Sequence, residues 1–166
     1  MGEKIRALYQ TTDAQGNAAD VLYHFWVKVV PCPGCTRGVE LFARNAYPDR
    51  KPEVQVCCPK CGGVQGAPND TAKVRCASCD AVFDPSEGAA RGAKATCPHC
   101  ARVFPIAAAV RASRAPPAHR LYAKLVLTRG GDKQYLRATA ADEAAYARAS
   151  EALREAVAAG RLRLPV

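Results

Sequence analysis

The chain has 166 residues, a formal net charge of +9 and nine cysteines. That length makes one domain or two small ones, and no run of about 20 apolar residues is present to cross a bilayer. The start, Met1-Gly-Glu-Lys-Ile-Arg, lacks the apolar stretch of a secretion signal, so a soluble cytoplasmic protein is expected, in which thiols favour metal over disulfides.

In chain order, Asp13-Ala-Gln-Gly16-Asn17 has turn chemistry and separates Leu8-Tyr9 from Val21-Leu22, which predicts a hairpin. Val21 to Val30 is rich in aromatic and β-branched residues and is the most strand-like segment. Trp26 and Phe25 fall on its opposite faces, so one of them is expected in the core. The strand runs into Pro31 and the first of four Cys-x-x-Cys knuckles: Cys32/Cys35, Cys58/Cys61, Cys76/Cys79 and Cys97/Cys100. Each knuckle is followed by a short apolar stub, at Val39, Val64, Val82-Phe83 and Val103-Phe104. This is an internal repeat of strand, knuckle and strand.

Two residues between cysteines make a tight turn whose thiolates converge on one ion, and eight thiols in four knuckles make two tetrahedral Zn²⁺ sites. Pro33, Pro59 and Pro98 preset the turn, and Gly34 and Gly62 supply small or permissive positions. Sequential sharing joins Cys32/Cys35 with Cys58/Cys61 and Cys76/Cys79 with Cys97/Cys100 across 22 and 17 residues. The competing arrangement joins the inner two knuckles across 14 residues and leaves the outer two to meet over a long connection. Loop closure favours the sequential choice. Four thiolates leave no open coordination position, so the metal is expected to be structural, standing in for a core that the stubs are too short to build. Cys57, at the end of Val54-Gln-Val-Cys57, is expected to be a buried strand cysteine, with a substitute metal ligand as the alternative. His99 and His119 are expected at the surface.

After the knuckles, Ile106 to Ser113 predicts a short helix ended by Arg114-Ala-Pro-Pro-Ala118. Arg120 to Thr128, the turn Arg129-Gly-Gly-Asp132 and Lys133 to Arg137 predict a β-hairpin. Thr139 then caps a helix that runs to Gly160, with Asp142 at capping-box distance in place of the usual Glu or Gln. Tyr146, Ala149, Leu153 and Val157 form a stripe expected to lie on that hairpin, and the tail Arg161-Leu-Arg-Leu-Pro-Val166 alternates like a strand. The expected fold is therefore α+β. Two tandem zinc ribbons of short antiparallel hairpins are followed by a β-hairpin and a C-terminal helix. The segments are 1–66 with the first ribbon, 67–113 with the second ribbon and short helix, and 114–166.

Charge is uneven, since residues 91–137 hold ten basic residues and one acid, Asp132. A localised basic excess is the footprint of a phosphate-binding surface, and Arg102, Arg111, Arg114, Arg120 and Lys124 are the candidate nucleic-acid contacts; a solvated, merely solubilising face is the alternative. Catalytic motifs are missing. Pro31-Cys-Pro-Gly-Cys35 fits one half of a zinc deaminase signature, but the upstream His-x-Glu is lacking, because His24 is followed by Phe25 and Trp26. A thioredoxin-like reading expects one reactive pair rather than four.

Val21-Leu-Tyr-His-Phe-Trp-Val-Lys-Val-Val-Pro-Cys-Pro-Gly-Cys35, Val39-Glu-Leu-Phe42 and Pro52-Glu-Val-Gln-Val-Cys-Cys-Pro-Lys-Cys61 resemble the zinc-ribbon region of large prokaryotic adenine-specific DNA methylases of the DUF1156 type. Leu121-Tyr-Ala, the Gly130/Lys133-Tyr135 hairpin and Asp142 with its helix resemble the segment that follows, so the resemblance covers roughly residues 5–166. It implies a parent enzyme that is an S-adenosylmethionine-dependent N6-adenine methyltransferase, with the ribbons helping to place DNA. The catalytic Asp/Asn-Pro-Pro-Tyr/Phe motif of such enzymes is not present: Pro116-Pro117 stands between Ala115 and Ala118. The expectation is an accessory module or fragment that associates with DNA and with a catalytic methyltransferase subunit. A protein-interaction scaffold that docks without touching DNA is the alternative.

Overall fold

The longest strand, β2 (Ala18–Pro31), carries the chain from the N-terminal hairpin to the first knuckle, where sequence composition placed it. The computed structural model describes residues 9–47 and 52–161. Leu8, which the hairpin expectation includes, and the alternating tail after Arg161 lie outside the described residues. The class is α+β: short antiparallel strands with two helices among the described residues. The chain divides into two compact units, 1–24 with 123–166 and 25–122. Strands β2 and β11 (Ala118–Leu127) each have residues in both.

In the first unit β1 (Gln10–Thr12) pairs with β2, Gln10 opposite Asp20 and Thr12 opposite Ala18. The loop between them closes as its composition predicts, with Asp13 Oδ1 accepting the N–H groups of Gln15 and Asn17 at 2.9 and 2.8 Å and Gly16 at φ 84°. β11 pairs with β12 (Lys133–Arg137), Leu125 opposite Tyr135 and Leu127 opposite Lys133. The sheet order is β1-β2-β11-β12, with β3 (Gly38–Glu40) also on β2. Ala19, Val21 and Val126 are buried together with Leu136 packed on them, a small apolar core.

Helix α2 (Ala140–Ala158) starts as predicted. The Thr139 side chain accepts the N–H of Asp142, and Asp142 Oδ2 accepts the N–H of Thr139 at 2.8 Å, a complete capping box with the shorter acid. The expected docking of its apolar stripe is corrected by the structure. Tyr146 and Leu153 are each 45% exposed and Asp142 is the one buried residue of the helix. The reason is composition: alanines between Glu and Arg offer little area to bury, so the first turn anchors the helix.

The second unit holds the knuckles. β3 pairs with the end of β2, Val30 opposite Val39. β4 (Glu53–Cys57) pairs with β5 (Val64–Pro68), and β6 (Val74–Arg75) with β7 (Val82–Phe83). β9 (Lys94–Thr96) lies between β8 (Ala90–Arg91) and β10 (Val103–Pro105), and α1 (Ile106–Ser113) follows directly. Two apolar clusters result. Val30, Cys32, Val39, Ala95, Cys97, Phe104 and Ala109 make one, and Val54, Val56, Ala67 and Val74 make the other. The chain crosses itself closely at Gly88, where a Cβ would stand 2.0 Å from the carbonyl oxygen of Phe42, so only glycine fits. Tyr47 and Tyr122 stack with centroids 5.9 Å apart and Phe25 meets Tyr47 edge-on at 5.5 Å, while Trp26 is 38% exposed, which makes Phe25 the inward ring of its strand.

Candidate metal centres

All four knuckles adopt one backbone form. The N–H of each first cysteine donates to the carbonyl five residues on: Cys32 to Arg37, Cys58 to Gly63, Cys76 to Ala81 and Cys97 to Arg102, at 2.8 to 2.9 Å. The carbonyl of each first cysteine accepts the N–H four residues on, from Thr36, Gly62, Asp80 and Ala101, at 2.8 to 3.0 Å. Those four residues all have positive φ, at 61°, 72°, 56° and 57°. The sequence supplies glycine at one of the four, so the left-handed position was hidden. Its signal is positional, always the residue after the second cysteine. Gly34 keeps no such φ and is small for another reason, given below.

The turn leaves backbone N–H groups aimed at sulfur. Gly34 donates to Cys32 Sγ at 3.3 Å, and Ser78 to Cys76, His99 to Cys97 and Gly63 to Cys61, each at 3.4 Å. Such donors stabilise thiolate and orient it.

The quartets are Cys32, Cys35, Cys97 and Cys100, and Cys58, Cys61, Cys76 and Cys79, each with all four sulfurs within 4.8 Å of one another. This overturns the sequential pairing expected from loop length: the inner two knuckles form one group and the outer two enclose it. The expected cost was overweighted. Lengthening the closing loop from 22 to 61 residues adds only about 1 kcal/mol, because closure entropy grows with the logarithm of length. Burying Val30, Val39 and Phe104 in the cluster beside the outer quartet offsets that several times over, at roughly 1.5–3 kcal/mol for each large side chain.

Sulfur separations test the chemistry. Cys32–Cys100 and Cys35–Cys97 are 3.7 Å apart, Cys58–Cys79 3.7 Å and Cys61–Cys76 3.6 Å. A disulfide needs about 2.05 Å, and none of the nine cysteines is disulfide-bonded. A tetrahedral ion with metal–sulfur bonds of about 2.3 Å sets its ligands about 3.8 Å apart. Both quartets therefore fit a tetrahedral ion with thiolate ligands.

Their electrostatics agree. Burial raises the Cys32 thiol, but the N–H groups of Gly34 and Cys35 and the thiols of Cys100 and Cys97 bring it down to about 6. Cys100 accepts the N–H of Arg102, yet burial and the thiols of Cys32, Cys97 and Cys35 push it up to about 11. In the inner quartet burial raises Cys76 while the Ser78 N–H and the Cys61 thiol bring it down to about 7. Cys61 accepts the Gly63 N–H, but burial and the thiols of Cys79, Cys76 and Cys58 push it up to about 12. In each quartet burial and the shared thiol hydrogen bonds hold some thiols up while others are brought down, and a bound divalent cation would favour the thiolate form of all four.

Cys57 is buried at 4% exposure in β4 and outside both quartets, as expected. His99 and His119 are exposed and outside them too. The candidate nucleic-acid contacts separate into three kinds. Arg102, Arg111 and Arg114 are exposed in the second unit. Arg120 is half-buried on Glu40, Nη2 donating to Oε2 at 2.6 Å while Nε stands 2.6 Å from Oε1 without hydrogen-bond alignment. Lys124 is a correction: at 3% exposure, with Nζ 2.8 Å from Asp142 Oδ1, it is spent inside the fold and cannot meet phosphate. No helix among the described residues is long and apolar enough to cross a membrane. No family model, curated protein or solved structure matches this chain.

Proposed function

We propose that this chain is a two-zinc module, folded by its metal and without catalysis of its own, that serves as a DNA-associated accessory element. One observation carries the metal reading: eight thiols gathered in two quartets at 3.6 to 3.7 Å spacing. Zinc is the ion that four thiolates in a closed tetrahedron favour in a structural site, and no position remains for water or substrate. Zinc analysis of the purified protein should return two ions per chain; one ion or none overturns the reading.

The nucleic-acid part rests on charge. The second unit carries fourteen Lys and Arg against seven Asp and Glu, whereas the first carries ten against eight. The excess therefore sits on the unit that holds the metal sites, where it supports a phosphate-facing role. The resemblance to the zinc-ribbon region of adenine-specific DNA methylases points the same way and makes a catalytic methyltransferase subunit the natural companion. Arg111→Glu with Arg114→Glu should abolish salt-sensitive DNA binding and leave the zinc content at two. Arg120 is left out of that test because its reversal would place two carboxylates together at Glu40. Binding that survives the double reversal, or does not weaken with salt, favours the second reading, a scaffold that docks on a partner protein. The exposed apolar side chains Val82 and Val103 beside the knuckles, 54% and 60% exposed, are what favour that alternative.

A further inference from the structure

The two quartets share a backbone form but differ in what lies across them. Two slots recur: the second residue after the knuckle's last cysteine, and the second of the two residues between the cysteines. In the outer quartet the first slot is Arg102, from the fourth knuckle, and the second is Gly34, from the first knuckle. A Cβ built on Gly34 would lie 3.0 Å from Arg102 Cδ, 3.0 Å from Nε and 3.3 Å from Cζ, so the guanidinium end of Arg102 stands against Gly34 of the facing knuckle. In the inner quartet the same slots are Gly63 and Ser78, and a Cβ on Gly63 would lie 3.1 Å from Ser78 Oγ. The sizes are exchanged. One quartet has arginine over glycine, the other glycine beside serine.

An ion with a charge of two held by four thiolates leaves a net charge of minus two on the centre. We infer that Arg102 is a positioning and charge-balancing residue of the Cys32/Cys35/Cys97/Cys100 centre, joining its two knuckles and making its ion slower to exchange than that of the inner centre. Gly34 is small because the guanidinium occupies the space its side chain would fill. Arg102 is bound to the same centre through its backbone: its carbonyl accepts the Cys97 N–H at 2.9 Å and its N–H donates to Cys100 Sγ. Each quartet holds these slots twice, the outer also with Arg37 and His99 and the inner also with Ala81 and Lys60, so the contrast is that of the two facing pairs, arginine at Gly34 against a neutral hydroxyl at Gly63. This removes Arg102 from the candidate DNA contacts, and it rests on the metal reading above.

Zinc transfer from the intact protein to a colorimetric chelator tests it. The wild type should release two ions in two phases. Arg102→Met, which keeps the stem and loses the charge, should speed the slower phase alone, by about two- to fivefold, the range of an exposed charge contact. Arg102→Lys should keep most of the wild-type rate, and added salt should shrink the Met effect. The reciprocal graft, Gly63→Arg with Ser78→Gly, should slow the faster phase. Two bound ions whose release is unchanged in Arg102→Met overturn the inference while leaving the metal reading intact; equal acceleration of both phases also overturns it. Absence of zinc from the wild type defeats the metal reading instead.

Discussion

Lys124 Nζ stands 2.8 Å from Asp142 Oδ1 with both side chains about 95% buried, and Thr11 Oγ1 donates to the same carboxylate oxygen at 3.0 Å. Asp142 also holds Thr139 at the helix start, so one carboxylate joins β1, β11 and α2. Breaking a buried pair leaves an uncompensated charge. Lys124→Ala should therefore destabilise the first unit by about 3–5 kcal/mol. Asp142→Asn should cost a similar amount and also fray α2, whereas Lys124→Met with Asp142→Leu should recover much of the loss. Denaturant unfolding followed by helix signal checks all three, and a Lys124→Ala variant as stable as wild type would show that the pair contributes little.

Acid should weaken this unit in two stages. Burial lowers His24, against the pull of Asp142 and with the push of Lys124, so the folded state prefers neutral imidazole. Its contribution is present above the ordinary histidine value of about 6.5 and fades as pH falls below it. Burial raises Asp142, but Lys124 and the Thr139 hydroxyl and N–H outweigh it and hold the carboxyl below its ordinary value. That contribution is fully present above about pH 4 and is lost as pH falls further. Stability measured from pH 7 to 3 should decline in both windows. His24→Gln should flatten only the upper one.

The nested quartets make a sharp stoichiometric prediction. Cys35→Ser with Cys97→Ser removes two ligands of one ion, so the protein should keep one zinc. Cys35→Ser with Cys61→Ser damages both sites and should lose both or hold them weakly. Sequential sharing predicts the reverse. Chelation of the wild type should expose the amides of residues 25–122 to hydrogen exchange and leave those of α2 protected longer, because α2 is anchored by Asp142 rather than by metal.

The left-handed residue after each knuckle is open to improvement. Ala101 has φ 57° and Gly62 has φ 72° in equivalent places. A side chain there costs about 1–2 kcal/mol in strain, while glycine costs about 0.5–1 kcal/mol in unfolded-state entropy. Ala101→Gly should therefore stabilise the zinc-loaded protein by roughly 0.5–1 kcal/mol and Gly62→Ala should destabilise it by about as much. Thermal unfolding at fixed zinc concentration measures both, and a destabilised Ala101→Gly would refute the argument.

What the sequence determined by itself was local. Cys-x-x-Cys spacing made the ligands legible because two intervening residues force the thiolates of a knuckle together wherever it sits. Aromatic and β-branched composition gave β2, glycines gave the β11–β12 turn, and Thr139 with Asp142 gave the start of α2, since each depends on neighbours in the chain. Tertiary structure alone decided which knuckles share an ion: closure entropy varies too slowly with loop length to choose, and buried Val30, Val39 and Phe104 outweigh it. It likewise decided the fate of individual charges. Lys124, Arg120 and Arg102 look alike in a basic run, but folding buries the first against Asp142, pairs the second with Glu40 and lays the third along Gly34. A charge takes its meaning from the groups brought against it, and those come from distant parts of the chain.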